Sequence, residues 1–257
     1  MWHYVERGEG PLLVLLHGIG MSSNAWKPVI PLLSETRRVL AFDVAGFGKS
    51  PRLPEDMPPT TENLVKALRW TLAEMGIREP VDIAGNSMGG WMALESARQG
   101  FARSVVAISP AGLWITPPLR AKHTFFGIRK MARTFPWLVH GALRLSWLRE
   151  VLMAMPLTTG CRNMPADAAI EATNDFVNAT GFDHTFAHAT RFTDGELISA
   201  PVTVAFGTHD LLLPSIARLR TALPPQTRWL EPQGWGHVPM WKDPEGVARL
   251  ILSSTQH

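Results

Sequence analysis

Ser87 stands between Gly85 and Gly89 in the run Val81-Asp82-Ile83-Ala84-Gly85-Asn86-Ser87-Met88-Gly89-Gly90. This G-x-S-x-G spacing turns a strand sharply into a helix and leaves one hydroxyl standing clear of both. The glycines suit a turn that has no room for a β-carbon on either side. A serine hydroxyl alone is a poor nucleophile at neutral pH; it needs an imidazole to take its proton and a carboxylate to orient that imidazole. Both follow later in the chain, Asp210 in Gly207-Thr208-His209-Asp210 and His237 in Gly234-Trp235-Gly236-His237. A second glycine-rich stretch, His17-Gly18-Ile19-Gly20, lets the N–H of Ile19 face the N–H of Met88 across a substrate. Two such amides, one of them at a helix N-terminus, can hold the oxyanion of an acyl-transfer intermediate. Read as plain structure, the same stretches are glycine-rich strand-to-helix loops, and His17 is a structural loop residue.

The elements that must position these residues can be read from apolar periodicity. Residues 2–7, Leu12–Leu16, Arg38–Asp43, Val81–Asn86, Ser104–Ser109, Pro201–Phe206 and Thr227–Leu230 are of strand length, and several are continuous apolar runs suited to a strand covered on both faces. Between them, helices are predicted near Asn24–Leu33, over Thr60–Met75 with Gly76 as a stop, after Ser87, near Pro214–Leu223 and over Pro244–Ser253. This alternation predicts an α/β chain with a mostly parallel central sheet flanked by helices, whose site collects at the carboxyl ends of strands. From Leu113 to Ser199 the alternation stops. That stretch reads as helices rich in Trp, Phe, Leu and Met, broken at Pro117-Pro118, Pro136, Pro156 and Pro165. Residues 1–112 and 200–257 are therefore expected to form the core and 113–199 an inserted helical cap.

With H-G-I-G, G-N-S-M-G-G, G-T-H-D and G-W-G-H in this order, the chain resembles the α/β-hydrolase superfamily over the core on both sides of the insertion. The resemblance implies Ser87 as nucleophile, His237 as general base and then acid, Asp210 as its orienting carboxylate, and the N–H groups of Ile19 and Met88 as the oxyanion hole. It implies a cap-bearing serine hydrolase cleaving carboxylic esters through an acyl-enzyme, with no metal and no organic cofactor. Relatives that hydrolyse epoxides or halides carry aspartate at the nucleophile position, so Ser87 argues against both. The elbow is also similar to that of the meta-cleavage-product hydrolases, which implies carbon–carbon bond hydrolysis as an alternative, although Ile19-Gly20-Met21-Ser22 departs from their proline-containing loop. Lactonase, thioesterase and perhydrolase chemistry would use the same triad, and a ligand-binding receptor could use the same fold without it.

Other residues are weighed against this frame. Asp43 and Asp82 read as loop or sheet-edge carboxylates, and Gly46-Phe47-Gly48 lacks the spacing of a phosphate loop. His184 and His188 share a helix face, but no third metal ligand falls at a recognisable spacing. Trp235 and Trp241, which bracket His237, and Trp114, Phe125 and Trp137 of the insertion are candidate substrate-binding residues. In the first half of the insertion Arg120, Lys122, Arg129, Lys130, Arg133, Arg144 and Arg149 mix with aromatics. Its later half is acidic, with Asp167, Glu171, Asp175 and Asp183, so that the two halves can pair. The expected arrangement is a lid with its apolar side over the pocket and its arginines in water; weak contact with a membrane surface is the alternative. Over 257 residues, 46% hydrophobic and 18% charged content is that of a globular chain. A net charge of +3 without a nucleic-acid motif predicts no nucleic-acid partner. The single cysteine cannot pair internally, and no apolar run is long enough to span a bilayer, so a cytoplasmic enzyme acting on a small-molecule ester is expected.

Overall fold

Leu13 and Leu15 point to one face of their strand while Val14 and Leu16 point to the other, and all four are fully buried. A strand covered on both sides needs a layer of helices above and below it, and the chain provides both. The computed structural model describes residues 1–116, 119–154 and 160–255, the side chains of 119–123 excepted. Pro117, Pro118, Pro156 and the side chains of Arg120 and Lys122 lie outside the described residues. The strands are β1 (Tyr4–Arg7), β2 (Leu12–Leu16), β3 (Arg38–Phe42), β4 (Val81–Asn86), β5 (Ala102–Ile108), β6 (Val202–Ala205) and β7 (Arg228–Leu230). They form one seven-stranded sheet in the order β1-β3-β2-β4-β5-β6-β7. Only β1 runs antiparallel to its neighbour; the remaining pairs are parallel, with Leu15 opposite Ala84 and Ala84 opposite Val106.

The helices of the core are α1 (Ile30–Leu33), α2 (Thr61–Glu74), α3 (Met88–Arg98) and α9 (Pro244–Ser254). Val14, Leu16 and Phe42 pack with Leu64, Leu68 and Met92 of α2 and α3, while Leu13, Leu15 and Ala41 pack with Leu33, Val247 and Ile251 of α1 and α9. Caps fix the helix starts: the Thr60 hydroxyl accepts the N–H of Asn63, and the Asp243 carboxylate accepts that of Gly246. Between β5 and β6 lie α4 (Leu119–Thr134), α5 (Pro136–Arg144), α6 (Ser146–Ala154), α7 (Ala166–Asn178) and α8 (Phe182–Ala187). These inserted helices have a small core of their own, built on Val139, Leu143, Met164 and Ala169.

Three sequence expectations are corrected. The helix near 24–33 is a 3₁₀ turn over Ser23–Trp26 followed by the single turn of α1, because Pro28 has no N–H to continue a helix and its ring crowds the carbonyl four residues back. The helix near 214–223 is two 3₁₀ turns, Ser215–Ala217 and Arg220–Ala222. Between them the N–H of Leu219 is donated to Leu113 O instead of to a helical carbonyl. Asp82 is no edge residue: it is fully buried within β4 at the middle of the sheet, where Arg37, Arg103 and Ser104 donate to it. Asp43 stands in the loop directly after β3, as expected, and from there its buried carboxylate holds the N–H groups of Ser23 and Lys49.

The arginines of the insertion are not all in water. Arg149 is buried and donates to the carbonyls of Leu143, Cys161 and Arg162, and Arg129 is buried against Phe176, Ala179 and Asp183. Each ties α4 or α6 to the chain that follows it. Of the expected pairing between the two halves, Arg129 meets Asp183 at 2.8 Å and Arg144 meets Asp167 at 4.0 Å, while Glu171 reaches out of the insertion to Lys27.

Candidate active site

Two neighbouring strands, β2 and β4, send their chains off at their carboxyl ends toward different parts of the sheet: β2 continues to β3 on one side, while β4 continues to β5 on the other. Such a switch point opens a crevice between the two loops. The loop after β4 is the turn at Ser87, whose backbone sits at φ 55° and ψ −115°. An L-residue there is strained by about 1–3 kcal/mol and must be held by its surroundings. Ser87 N–H donates to Ile108 O at 2.9 Å, and Ser87 O accepts the N–H groups of Trp91 and Ala111 at 3.0 Å each. A β-carbon on Gly85 would collide with Gly89 O, and one on Gly89 with Leu16 O. Strand, turn and helix therefore approach too closely for any residue but glycine at either position.

The loop after β2 packs directly against this turn. A β-carbon on Gly18 would lie 3.3 Å from Ser87 Cβ. His17 is fully buried with both ring nitrogens used: Nδ1 donates to Gly18 O at 2.7 Å, and Nε2 accepts the N–H of Val44 at 2.9 Å. Burial pushes its pKa down against the opposing Gly18 bond and the Asp43 charge, so it acts as a neutral brace for the loop. Ile19, the next residue but one, lines the same cavity as Ser87 and Met88.

The other two residues come from the far half of the sheet. Asp210 follows β6 and His237 follows β7; both are buried, with His237 Nδ1 at 3.0 Å from Asp210 Oδ2. The other carboxylate oxygen, Oδ1, accepts the N–H groups of Leu212 and Leu213 at 3.0 Å each. Burial alone would raise the pKa of Asp210, but the charge and hydrogen bond of His237 and the Leu213 N–H outweigh it and the net shift is downward. A carboxylate accepting at Nδ1 places the proton there and leaves Nε2 with its lone pair. That Nε2 is buried and has no hydrogen-bond partner among the described residues, Ser87 Oγ included; such bonds are often long before substrate binds. Asn86 joins the two halves: its side chain donates to Ile108 O at 3.1 Å and to His237 O at 2.8 Å, one residue before the serine.

A cavity of about 110 Å³ opens over Ser87, walled by Leu64, Trp91, Trp114, Phe125, Phe186 and Leu213. A second, of about 130 Å³, shares Ile19 and Phe125 with the first and is lined by Met153, Ala168, Asp175, Val238 and Trp241. Of the aromatic candidates, Trp114 and Phe125 face the first cavity, and Phe125 and Trp241 the second. Trp235 does neither: its indole is buried in the layer with α9 and donates to Asp243 at 2.9 Å. Trp137 stands outward on α5, 73% exposed. Sequence reasoning passed over Asn86, although it adjoins the serine, and gave no signal for Phe186, whose place depends on how α8 docks. His184 and His188 do share a face, with rings 4.7 Å apart, and His188 lines the first cavity; among the described residues no third metal-type ligand joins them. Cys161 is no rival nucleophile, since burial, with the Glu150 charge adding to it, pushes its thiol up to about 12.

The sequence model of the alpha/beta hydrolase family matches residues 13–250. The 2-hydroxy-6-oxo-6-(2'-aminophenyl)hexa-2,4-dienoic acid hydrolase of Metapseudomonas resinovorans is 32% identical over 115 residues, which cover 43% of this chain and 39% of that protein. The match thus spans well under half of that relative's length. A thermophilic esterase from Thermogutta terrifontis superposes with a TM-score of 0.74 at 22% identity, covering 98% of this chain and 92% of the other. An enol-lactonase from Burkholderia xenovorans LB400 also gives a TM-score of 0.74, at 24% identity, covering 98% and 95%. At these identities the two structures speak for the fold.

Proposed function

This chain belongs to the alpha/beta hydrolase family, and from that membership we propose that it is a serine hydrolase of carboxylic esters with apolar acyl or aryl groups. The observation that carries the reading is the buried His237, oriented by Asp210 through Nδ1, with Nε2 unpartnered and its loop tied by Asn86 to the serine of an apolar cavity. Ser87 Oγ attacks the ester carbonyl as His237 Nε2 takes its proton, and the N–H groups of Ile19 and Met88 receive the oxyanion. His237 then protonates the departing alcohol, and a water deprotonated by the same nitrogen releases the acid. The leaving group must depart on the histidine side, where Val238 and Trp241 line the second cavity. The acyl part then occupies the first cavity, among Trp91, Trp114 and Phe186.

Hydrolysis of p-nitrophenyl butyrate, combined with fluorophosphonate labelling read by mass spectrometry, tests the reading. The probe is expected on Ser87, and Ser87→Ala is expected to lower kcat by about six orders of magnitude. Retention of most activity in that variant, or no label on the wild type, would dismiss the mechanism and favour a binding protein. Carbon–carbon bond hydrolysis is the second reading, favoured by the similarity to the Metapseudomonas hydrolase. A vinylogous 1,5-diketone cleaved faster than any ester would establish it.

A further inference from the structure

The aromatic side chains of α5 and α6 point away from the pocket. Trp137 is 73%, Trp147 59% and Val151 62% exposed, and Phe135, Leu138 and Leu145 are exposed beside them. Six large apolar side chains are exposed within the seventeen residues 135–151, a density that soluble surfaces rarely carry without a partner. Their inward neighbours Val139 and Leu143 are buried, so the hairpin has a core face already and does not need this second one to fold.

Charge narrows what covers the patch. Lys130 and Arg133 at the end of α4 and Arg144 at the end of α5 are all exposed. Glu150, the one acid between Gly112 and Gly160, is turned away: its two oxygens accept the N–H groups of Gly160 at 2.9 Å and Arg162 at 2.6 Å. Arg133 donates to Val177 O, and Asp167 stands 4.0 Å from Arg144. A second copy docking patch to patch would bring like charges together. A bilayer with anionic headgroups satisfies both properties at once, since indole rings favour the headgroup level and basic side chains favour its negative potential.

We propose that the outer face of the α5–α6 hairpin is a docking surface for anionic lipid membranes. No helix among the described residues is long and apolar enough to cross a membrane, so the contact is interfacial. Helix α6 also gives Leu152 and Met153 to the second cavity. The helix that lies on the lipid is therefore also a wall of the binding space, and esters dissolved in the bilayer are the substrates it would reach.

Sedimentation of the whole chain with phosphatidylcholine vesicles containing about 30% phosphatidylglycerol, against phosphatidylcholine alone, is the test. Anionic vesicles are expected to bind it about tenfold more tightly, with the difference shrinking in 0.5 M salt. The double substitution W137A/W147A is expected to lower binding to both vesicles by about tenfold or more, and K130E/R144E to abolish the anionic preference alone. Because all four side chains are exposed, thermal unfolding within a few degrees of the wild type is expected and serves as the folding control. Equal, weak binding to both vesicles overturns the proposal. So does a dimer in sedimentation velocity that W137A/W147A dissociates, which would make the patch an interface between two copies.

Discussion

At Asp82 a fully buried carboxylate collects donors from Arg37 just ahead of β3, from Arg103 at 2.5 Å and from Ser104 at 2.8 Å, and so stitches the base of β4 to that of β5 beside it and, across β2, to the start of β3. Burial pushes its pKa up, the three donors push it down, and the donors win; Asp43 and Asp210 are depressed by the same contest of burial against hydrogen bonds and charge. A carboxylate with a lower pKa folded than unfolded contributes stability above its unfolded value, near 3.9, and loses it as pH falls through the folded value. Urea midpoints are therefore expected to be level from neutrality down to about pH 4–5 and to fall steeply below that. Asp82→Asn is expected to cost about 3–5 kcal/mol at pH 7, because Arg37 is left buried without its counter-charge, and to flatten the acid slope. An unchanged slope in that variant would show that Asp82 is not the group being titrated. None of this was legible in the sequence, where Asp82 read as an edge carboxylate, because its importance lies in a side chain 45 residues away. Ser87, Asp210 and His237 were legible because each sits in a short glycine-bearing motif whose meaning is local.

Secondary structure divides along the same line. Strands β2 and β5 could be placed from the apolar runs Leu12–Leu16 and Val105–Ile108, since a strand buried on both faces has no alternative use for them. The stretch 214–223 could not, because Leu219 spends its N–H on the start of the insertion. Helix α7 shows what spacing can and cannot say. Ala168, Glu171, Ala172 and Asp175 recur at helical intervals, and the structure turns that face toward the second cavity, whereas the aromatic face of α5 turns outward against expectation. If the second cavity takes the leaving group, a bulky side chain at its wall must discriminate among alcohols. Ala168→Phe is expected to lower the ratio of kcat/KM for benzyl butyrate over methyl butyrate by about tenfold or more. A variant that shifts acyl-length preference and leaves this ratio alone would reverse the assignment of the two cavities.

Across the whole molecule, the sheet order places the serine loop, the amide loop and the Asp210–His237 pair at one end of parallel strands, with the inserted helices over them. The order of motifs and the break in alternation over 113–199 already implied that layout; which inserted side chains face the cavities required their contacts. The tension stored at position 87 reaches beyond chemistry to heat resistance. Glycine accepts positive φ without penalty, though it also gives the unfolded chain more freedom. Ser87→Gly is thus expected to be inert toward esters yet to melt roughly 2–6 °C higher than the wild type, with Ser87→Ala melting close to it. Calorimetry of the three proteins side by side would reveal whether durability has been surrendered at the proposed nucleophile, in which case selection for a hotter habitat could not recover it there without removing that hydroxyl.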